Sequence, residues 1–331
     1  MAEILLTIFF ISVLLFFLGS GVWVAISMIG VSSIGMMLFT TRPVGDAMAT
    51  TIWGASSSWT LTALPLFVWM GEILFRTKLS ENLFEGLSPW MQKLPGGLIH
   101  VNVVGCALFA AISGSSAATV ATVGKMSIPE LRKRKYPENI LLGSLAGSGT
   151  LGLLIPPSII LIIYGVTVQE SIAKLFIAGI FPGIMIAIIF MTYVVIWSLM
   201  NKNKMPILTE EIPFIEKIKK SGKLIPVILL IVSVIGSIYS GVATATEAAS
   251  LGVVGALILS FFQKSLTVDS FKKSLLGATK TSCMIAFILA GSTFLSLAMG
   301  FTGLPRNLAL WIQNMELSPY VLIFVLMIFY I

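Results

Sequence analysis

The sequence predicts an all-α polytopic membrane protein, built on inverted repeats and carrying a re-entrant helical hairpin and broken helices. Three observations predict it. The 331 residues are 57% hydrophobic and 11% charged, with a mean hydropathy of +1.01, whereas soluble domains carry about 25% charged residues. Two runs of small, hydroxyl-bearing and helix-breaking residues interrupt this apolar background: AISGSSAATVATVG over 111–124 and GSGTLGLLIPP over 147–157. Short motifs also recur at a spacing of about 220 residues.

The elements follow in chain order. A spanning helix needs about 20 apolar residues. Segment 4–18 has an acidic flank, Glu3, and no small-residue cleavage site after it, so it is a span and not a cleaved signal. Further spans are expected at 20–40, 61–77, 172–200, 223–240, 243–262 and 280–300. Segments 43–60, 79–95 and 264–279 mix polar and apolar residues and are expected to lie along the membrane surface as amphipathic helices. Segments 97–112 with 114–125, and 138–155 with 158–168, are too short or too interrupted to span simply. They are expected to form a hairpin and a broken helix.

Positive charge orients these pieces. Arg76, Lys78 and Lys93 precede the hairpin; Lys125 and Arg132 to Lys135 follow it. With basic loops on the cytoplasmic side, segment 97–125 enters from the cytoplasm and returns to it. Segment 172–200 then returns to a second basic loop, and the N-terminus falls on the periplasmic side. Phe67 to Gly71 (FVWMG) matches Phe287 to Gly291 (FILAG), Ser80 to Leu83 matches Pro305 to Leu308, and Gly19 to Val22 matches Tyr239 to Val242. Because 61–77 runs inward and 280–300 outward, the repeats are inverted. The counterpart of Ser113 to Ser116 would fall beyond residue 331, so an incomplete second repeat is expected.

The composition also excludes functions. The formal charge of +7 lies in short loops, where it sets orientation and not nucleic-acid affinity. The lone histidine, His100, argues against a histidine-rich metal site, and Cys106 and Cys283 sit in apolar segments as packing residues. No Walker motif, nucleophile–base pair or ligand-spaced cluster is present, so the chain is read as a non-enzyme powered by an ion gradient or by nothing. Irregular backbone at membrane depth is tolerated only against protein or a water-filled cavity, and there it offers carbonyls and helix ends to ions and substrates. The same serines and glycines also suit plain helix packing. Pro156-Pro157 suits either a kink or the release of carbonyls. Glu247 is read as a helix-start cap near Thr244 or Thr246, Glu72 and Arg76 as an i,i+4 pair, Arg306 as an interfacial arginine, and Trp53, Trp59, Trp69 and Trp90 as interface markers.

Four motifs together carry a family resemblance. Ala111 to Ala118 (AISGSSAA), Gly124 to Glu130 (GKMSIPE), Gly152 to Ser158 (GLLIPPS) and Gly241 to Ala249 (GVATATEAA) resemble the large membrane subunit of tripartite ATP-independent periplasmic (TRAP) transporters. The likeness extends over the whole chain; one departure is Ala245, where the family usually has proline. The resemblance implies an elevator-type transporter like others of the ion transporter superfamily, partnered by a small membrane subunit and a periplasmic substrate-binding protein in a bacterial inner membrane. It implies sodium-coupled import of organic anions such as C4-dicarboxylates or sialic acids. Residues 1–60 would be scaffold helices and an arm, 61–200 transport elements of the first repeat, and 201–222 a cytoplasmic loop. Residues 223–279 would be the second scaffold and arm, and 280–331 the start of the second transport domain.

By the same resemblance, sodium would bind at Ser113 and Ser115 with oxygens near Gly152, Ile155 and Pro157. The substrate would meet the tip at Gly114, Ser116 and Ala117. Sodium is a hard cation that takes oxygen ligands, and helix N-terminal amides favour a carboxylate. Two other readings stay open at this point: a stand-alone ion-coupled anion transporter or exporter, and a non-transporting membrane anchor subunit.

Overall fold

The computed structural model describes residues 2–77, 79–206 and 213–330; Lys78 and the middle of the loop after residue 200, on which part of the charge argument rests, lie outside the described residues. Every regular element among the described residues is helical. In order these are α1 (Ala2–Gly19), α2 (Val24–Phe39), α3 (Val44–Ser56), α4 (Ala63–Phe75), α5 (Leu79–Met91), α6 (Ile99–Ser113), α7 (Ser116–Lys133) and α8 (Glu138–Gly149). There follow α9 (Ile159–Val168), α10 (Ile172–Met200), α11 (Phe214–Ser221), α12 (Ile225–Tyr239), α13 (Ala245–Phe262), α14 (Val268–Phe301), α15 (Leu304–Gln313) and α16 (Pro319–Tyr330). Among the described residues, four helical runs are long and apolar enough to cross a bilayer: Ile172–Met200, Phe214–Tyr239, Ala245–Phe262 and Val268–Phe301. With their lipid-compatible surfaces they make this a multi-pass membrane protein. Ile188, Ile189 and Tyr193 of α10 are all more than half exposed, as lipid-facing side chains would be.

One expectation is corrected. Segments 264–279 and 280–300 are not a surface helix followed by a span; they form one 34-residue helix, α14. The sequence between them, Gly277-Ala-Thr-Lys280, contains no proline, and a single glycine costs a helix only about 1 kcal/mol, so nothing forces a break. The second arm of the hairpin also runs past residue 125 to Lys133, through Pro129. Cys283 is exposed, unlike the buried Cys106, so it is not a packing residue.

The helices gather into two compact units. The first holds α1 to α3, the C-terminal part of α14, α15 and α16. Its core clusters are Phe10, Val31 and Leu304, and Met36, Phe294 and Ala298. Gly291 of α14 closes on the backbone of Ala25 in α2, and the Arg42 guanidinium lies 4.3 Å from the Phe301 ring centre.

The second unit, residues 59–282, is organised around α4. Phe67 meets Phe176 of α10 edge-on at 5.9 Å. Met70 lies against Gly252 of α13, and Gly71 against Ser113 at the end of α6. Trp69, expected at an interface, instead packs on the first part of α14: it stacks edge-on with Phe271 at 5.8 Å and donates Nε1–H to Ser274 Oγ at 3.3 Å. The other three tryptophans named above are exposed. Arg76 and Glu72 pair at 3.0 Å on α4.

Helices α6, α7 and α8 form a three-helix stack inside this unit. Asn102 of α6, fully buried, donates Nδ2–H to Ser144 Oγ at 3.0 Å and to the Leu141 carbonyl at 3.3 Å. At the far end, Arg132 grips Glu138 through Nε and Nη2 at 2.6 and 3.1 Å, which closes the loop between α7 and α8. That hydrogen bond to the guanidinium holds the Glu138 carboxyl below its ordinary value.

Candidate functional site

The two interrupted runs come together. Helix α6 stops at Ser113 because Gly114 turns left-handed, with φ +58°, and returns its N–H to the Ala110 carbonyl at 3.0 Å. Ser115 is extended and begins α7, its Oγ accepting from the Ala118 N–H at 3.4 Å. A two-residue tip therefore joins two helix ends: the carbonyl end of α6 and the amide end of α7.

The facing element breaks in the same region. Helix α8 tightens into a 3₁₀ turn over Thr150–Leu153, and α9 starts only at Ile159. Pro156 and Pro157 carry no N–H. They cannot supply the i+4 donors that a continuing helix would bring to the Gly152 and Leu153 carbonyls. Ser158, fully buried, donates its hydroxyl to the Leu153 carbonyl at 2.6 Å and so replaces one of them. Gly152 gains no such replacement from Pro156.

Contact between the two breaks is close. The Ile159 N–H donates to the Gly114 carbonyl at 3.2 Å. A Cβ on Gly114 would stand 2.5 Å from the Pro157 carbonyl oxygen, and one on Gly152 would stand 2.8 Å from the Ser116 nitrogen. The structure thus brings Gly114 against Pro157, and Ser115 and Ser116 against Gly152, while Ser113 lies against Gly71 and bonds within the tip to Ser115 and Thr119. It does not bring the Ile155 side chain there: that side chain lies against Gly183 of α10, and the Ile155 N–H is spent on the Leu151 carbonyl at 2.9 Å. Ala117 is exposed beside the tip.

Thr119 belongs to this constellation and the sequence reading missed it. Its Oγ1 donates to the Ser115 carbonyl at 2.8 Å and lies 3.0 Å from Ser113 Oγ. The S-x-x-x-T spacing from Ser115 was the available signal. Ser116 Oγ is buried and has no hydrogen-bond partner among the described residues. The oxygens here are neutral hydroxyls and carbonyls, and no group of three or more His, Cys, Asp or Glu residues gathers among the described residues. Such a donor set fits a weakly held hard cation.

Glu247 is structural. Thr244 Oγ1 accepts the Glu247 N–H at 3.3 Å, and Glu247 Oε2 accepts the Thr244 N–H at 2.8 Å, a reciprocal cap on α13.

A multi-pass helical membrane protein whose two chain breaks meet backbone to backbone, beside a cluster of hydroxyls, has the build of a membrane transporter. Residues 10–331 match the family described as "Tripartite ATP-independent periplasmic transporter, DctM component". The chain belongs to this family. It is similar to the C4-dicarboxylate TRAP transporter large permease protein DctM of Pseudomonas aeruginosa, with 33% identity over 88% of this chain and 67% of that protein. The protein of the same name from Rhodobacter capsulatus is 30% identical over 90% of this chain and 70% of its own length. The ectoine/5-hydroxyectoine TRAP transporter large permease protein UehC of Ruegeria pomeroyi is 30% identical over 97% and 74%.

Proposed function

We propose that this chain is the translocating subunit of a sodium-coupled importer of small organic anions. It would work by an elevator mechanism in a bacterial inner membrane, with a small membrane subunit and a periplasmic substrate-binding protein as partners. The observation that carries the reading is the fit of the 113–116 tip against the break at Gly152 and Pro157. Relatives named as C4-dicarboxylate permeases support the substrate class. The permease named for ectoine widens that class beyond dicarboxylates.

Bound between the breaks, sodium would supply positive charge that offsets a substrate carboxylate. The chain's own residues do the rest. Ser113 Oγ, the Ser115 carbonyl and the Gly152 carbonyl provide neutral oxygens, with Thr119 positioning the two serines. The Pro157 carbonyl lies beside Gly114 and contributes from the broken helix. Ile155 is retained only as a backbone contributor, since its side chain is turned to α10. The free amides at the start of α7, at Ser116 and Ala117, face a carboxylate favourably. Gly114 keeps the tip thin enough to reach its partner.

The inverted repeat is part of this proposal, and the packing supports it. In one unit α4 lies against α13; in the other α14 lies against α2. A shift of about 220 residues carries α4 onto α14 and α2 onto α13, so each pair maps onto the other with the repeats exchanged.

Uptake of radiolabelled succinate and sialic acid into proteoliposomes, with the partner subunits and a loaded binding protein, tests the reading. Ser113→Ala is expected to raise the sodium concentration needed for half-maximal uptake by about tenfold, as for one lost ligand worth about 1.4 kcal/mol; Ser115→Ala keeps its carbonyl, loses the hydroxyl that caps α7, and is expected to raise it less. Sodium dependence unchanged in both variants would overturn the site; uptake without the binding protein would favour a stand-alone carrier.

A further inference from the structure

The loop between α10 and α12 takes no part in the site, yet it folds a short basic helix. In α11 the apolar residues Phe214, Ile215 and Ile218 occupy one side, and Glu216, Lys217, Lys219 and Lys220 the remainder. The three apolar side chains are exposed, Ile215 by 82%. The helix is nonetheless fixed in place. Trp90 of α5 donates Nε1–H to Ser221 Oγ at 2.7 Å and meets the Phe214 ring edge-on at 6.2 Å. Lys217 Nζ stands 5.8 Å from the Trp90 ring centre, and Lys223 pairs with Glu85. Leu224 lies against Gly86.

Length sets the depth. The helical run Phe214–Tyr239 has 26 residues, or about 39 Å at 1.5 Å per residue, against a hydrocarbon core of about 30 Å. The uncharged remainder, residues 224–239, is about 24 Å long and by itself takes up most of the core, which leaves the start of the run at its boundary. All charged residues of the run, Glu216, Lys217, Lys219, Lys220 and Lys223, fall in its first ten residues, and none follows Lys223. That end lies among the headgroups. Lys220 holds Glu216 at 2.9 Å, so the only acid of the helix is already matched. Lysines on both flanks of an exposed apolar stripe are the pattern that inserts the stripe and lifts the ammonium groups to lipid phosphates.

We propose that α11 is a docking surface for anionic phospholipid on the side of the basic loops. Phe214, Ile215 and Ile218 enter the acyl boundary, Lys217 and Lys219 hold the headgroups, and Trp90 holds the helix at that depth. The inference does not depend on the ion site.

The test uses the full chain in nanodiscs of phosphatidylcholine and phosphatidylglycerol at about 3:1, with the lipids retained on extraction measured by native mass spectrometry. Replacing Lys217, Lys219 and Lys220 together by glutamine is expected to lower phosphatidylglycerol retention at least about threefold. Lys272→Gln with Lys273→Gln, an exposed basic pair on α14, is expected to leave it unchanged. Equal retention in the triple variant and the parent, or equal loss in the control, would overturn the proposal. Depth is read independently, with all lysines intact, from a spin label at Ile215→Cys. Greater accessibility to oxygen than to a water-soluble nickel chelate is expected. An aqueous label that becomes buried only when other subunits are added would put a protein on this face and overturn the lipid assignment.

Discussion

At the residue scale, the tip depends on two positions where a side chain has no room. Gly114 sits left-handed and its absent Cβ faces the Pro157 carbonyl at 2.5 Å. Left-handed backbone costs a non-glycine residue about 1–2 kcal/mol before any clash. Gly114→Ala is therefore expected to destabilise the protein by at least about 2 kcal/mol and to lower its thermal midpoint in detergent. A midpoint equal to that of the parent would mean the tip does not press on the break. The sequence showed which residues were unusual, because serine, glycine and proline stand out from an apolar background. It did not show Thr119 or the turning away of Ile155. Which side of a short irregular segment faces its neighbour depends on tertiary packing, and an apolar residue beside two prolines gives no sign of it.

At the element scale, the sequence located most helices because their caps and breakers are local. Helix α10 begins after Ser171, whose hydroxyl accepts from the Lys174 N–H, and α13 begins at the Thr244–Glu247 box. Thr244→Ala removes one half of that box and is expected to cost about 1 kcal/mol. A fall in thermal midpoint that Thr244→Ser largely avoids would check it. The long helix α14 reads as two elements in the sequence and is one in the structure. Its polar first half and apolar second half differ in composition, but composition does not bend a helix that has no breaker. The packing of Trp69, Glu72 and Arg76 was also only half legible. Their spacing puts them on one face of α4, while the partner face, Phe271, Ser274 and Gly277 of α14, lies about 200 residues away in the chain.

At the scale of the whole molecule, hydropathy alone marks the membrane setting. Family membership followed from motifs whose order and spacing the structure explains: the tip and the break are adjacent in space. A ligand that binds only the folded state raises its stability in proportion to the logarithm of ligand concentration. If the breaks hold sodium, the thermal midpoint of the purified protein should rise steadily between 1 and 100 mM sodium chloride at constant ionic strength made up with choline; sodium at a hundredfold excess over its dissociation constant stabilises the fold by about 2.7 kcal/mol. The rise should be smaller in Ser113→Ala, whose sodium affinity is expected to be about tenfold weaker. A midpoint flat in sodium, or one equally raised by choline, would remove sodium from the mechanism.

The pair Pro156-Pro157 has a further consequence for speed. In an unbroken helix, any guest seeking the Gly152 carbonyl would first have to displace an amide of the chain itself, and the helix would reclaim that oxygen whenever the guest left. Here imide nitrogens stand where those amides would be. Arrival and departure at this oxygen then involve no helical hydrogen bond from Pro156 to open or reseal. The missing donor is written into covalent structure, so no change of backbone conformation can restore it at Pro156.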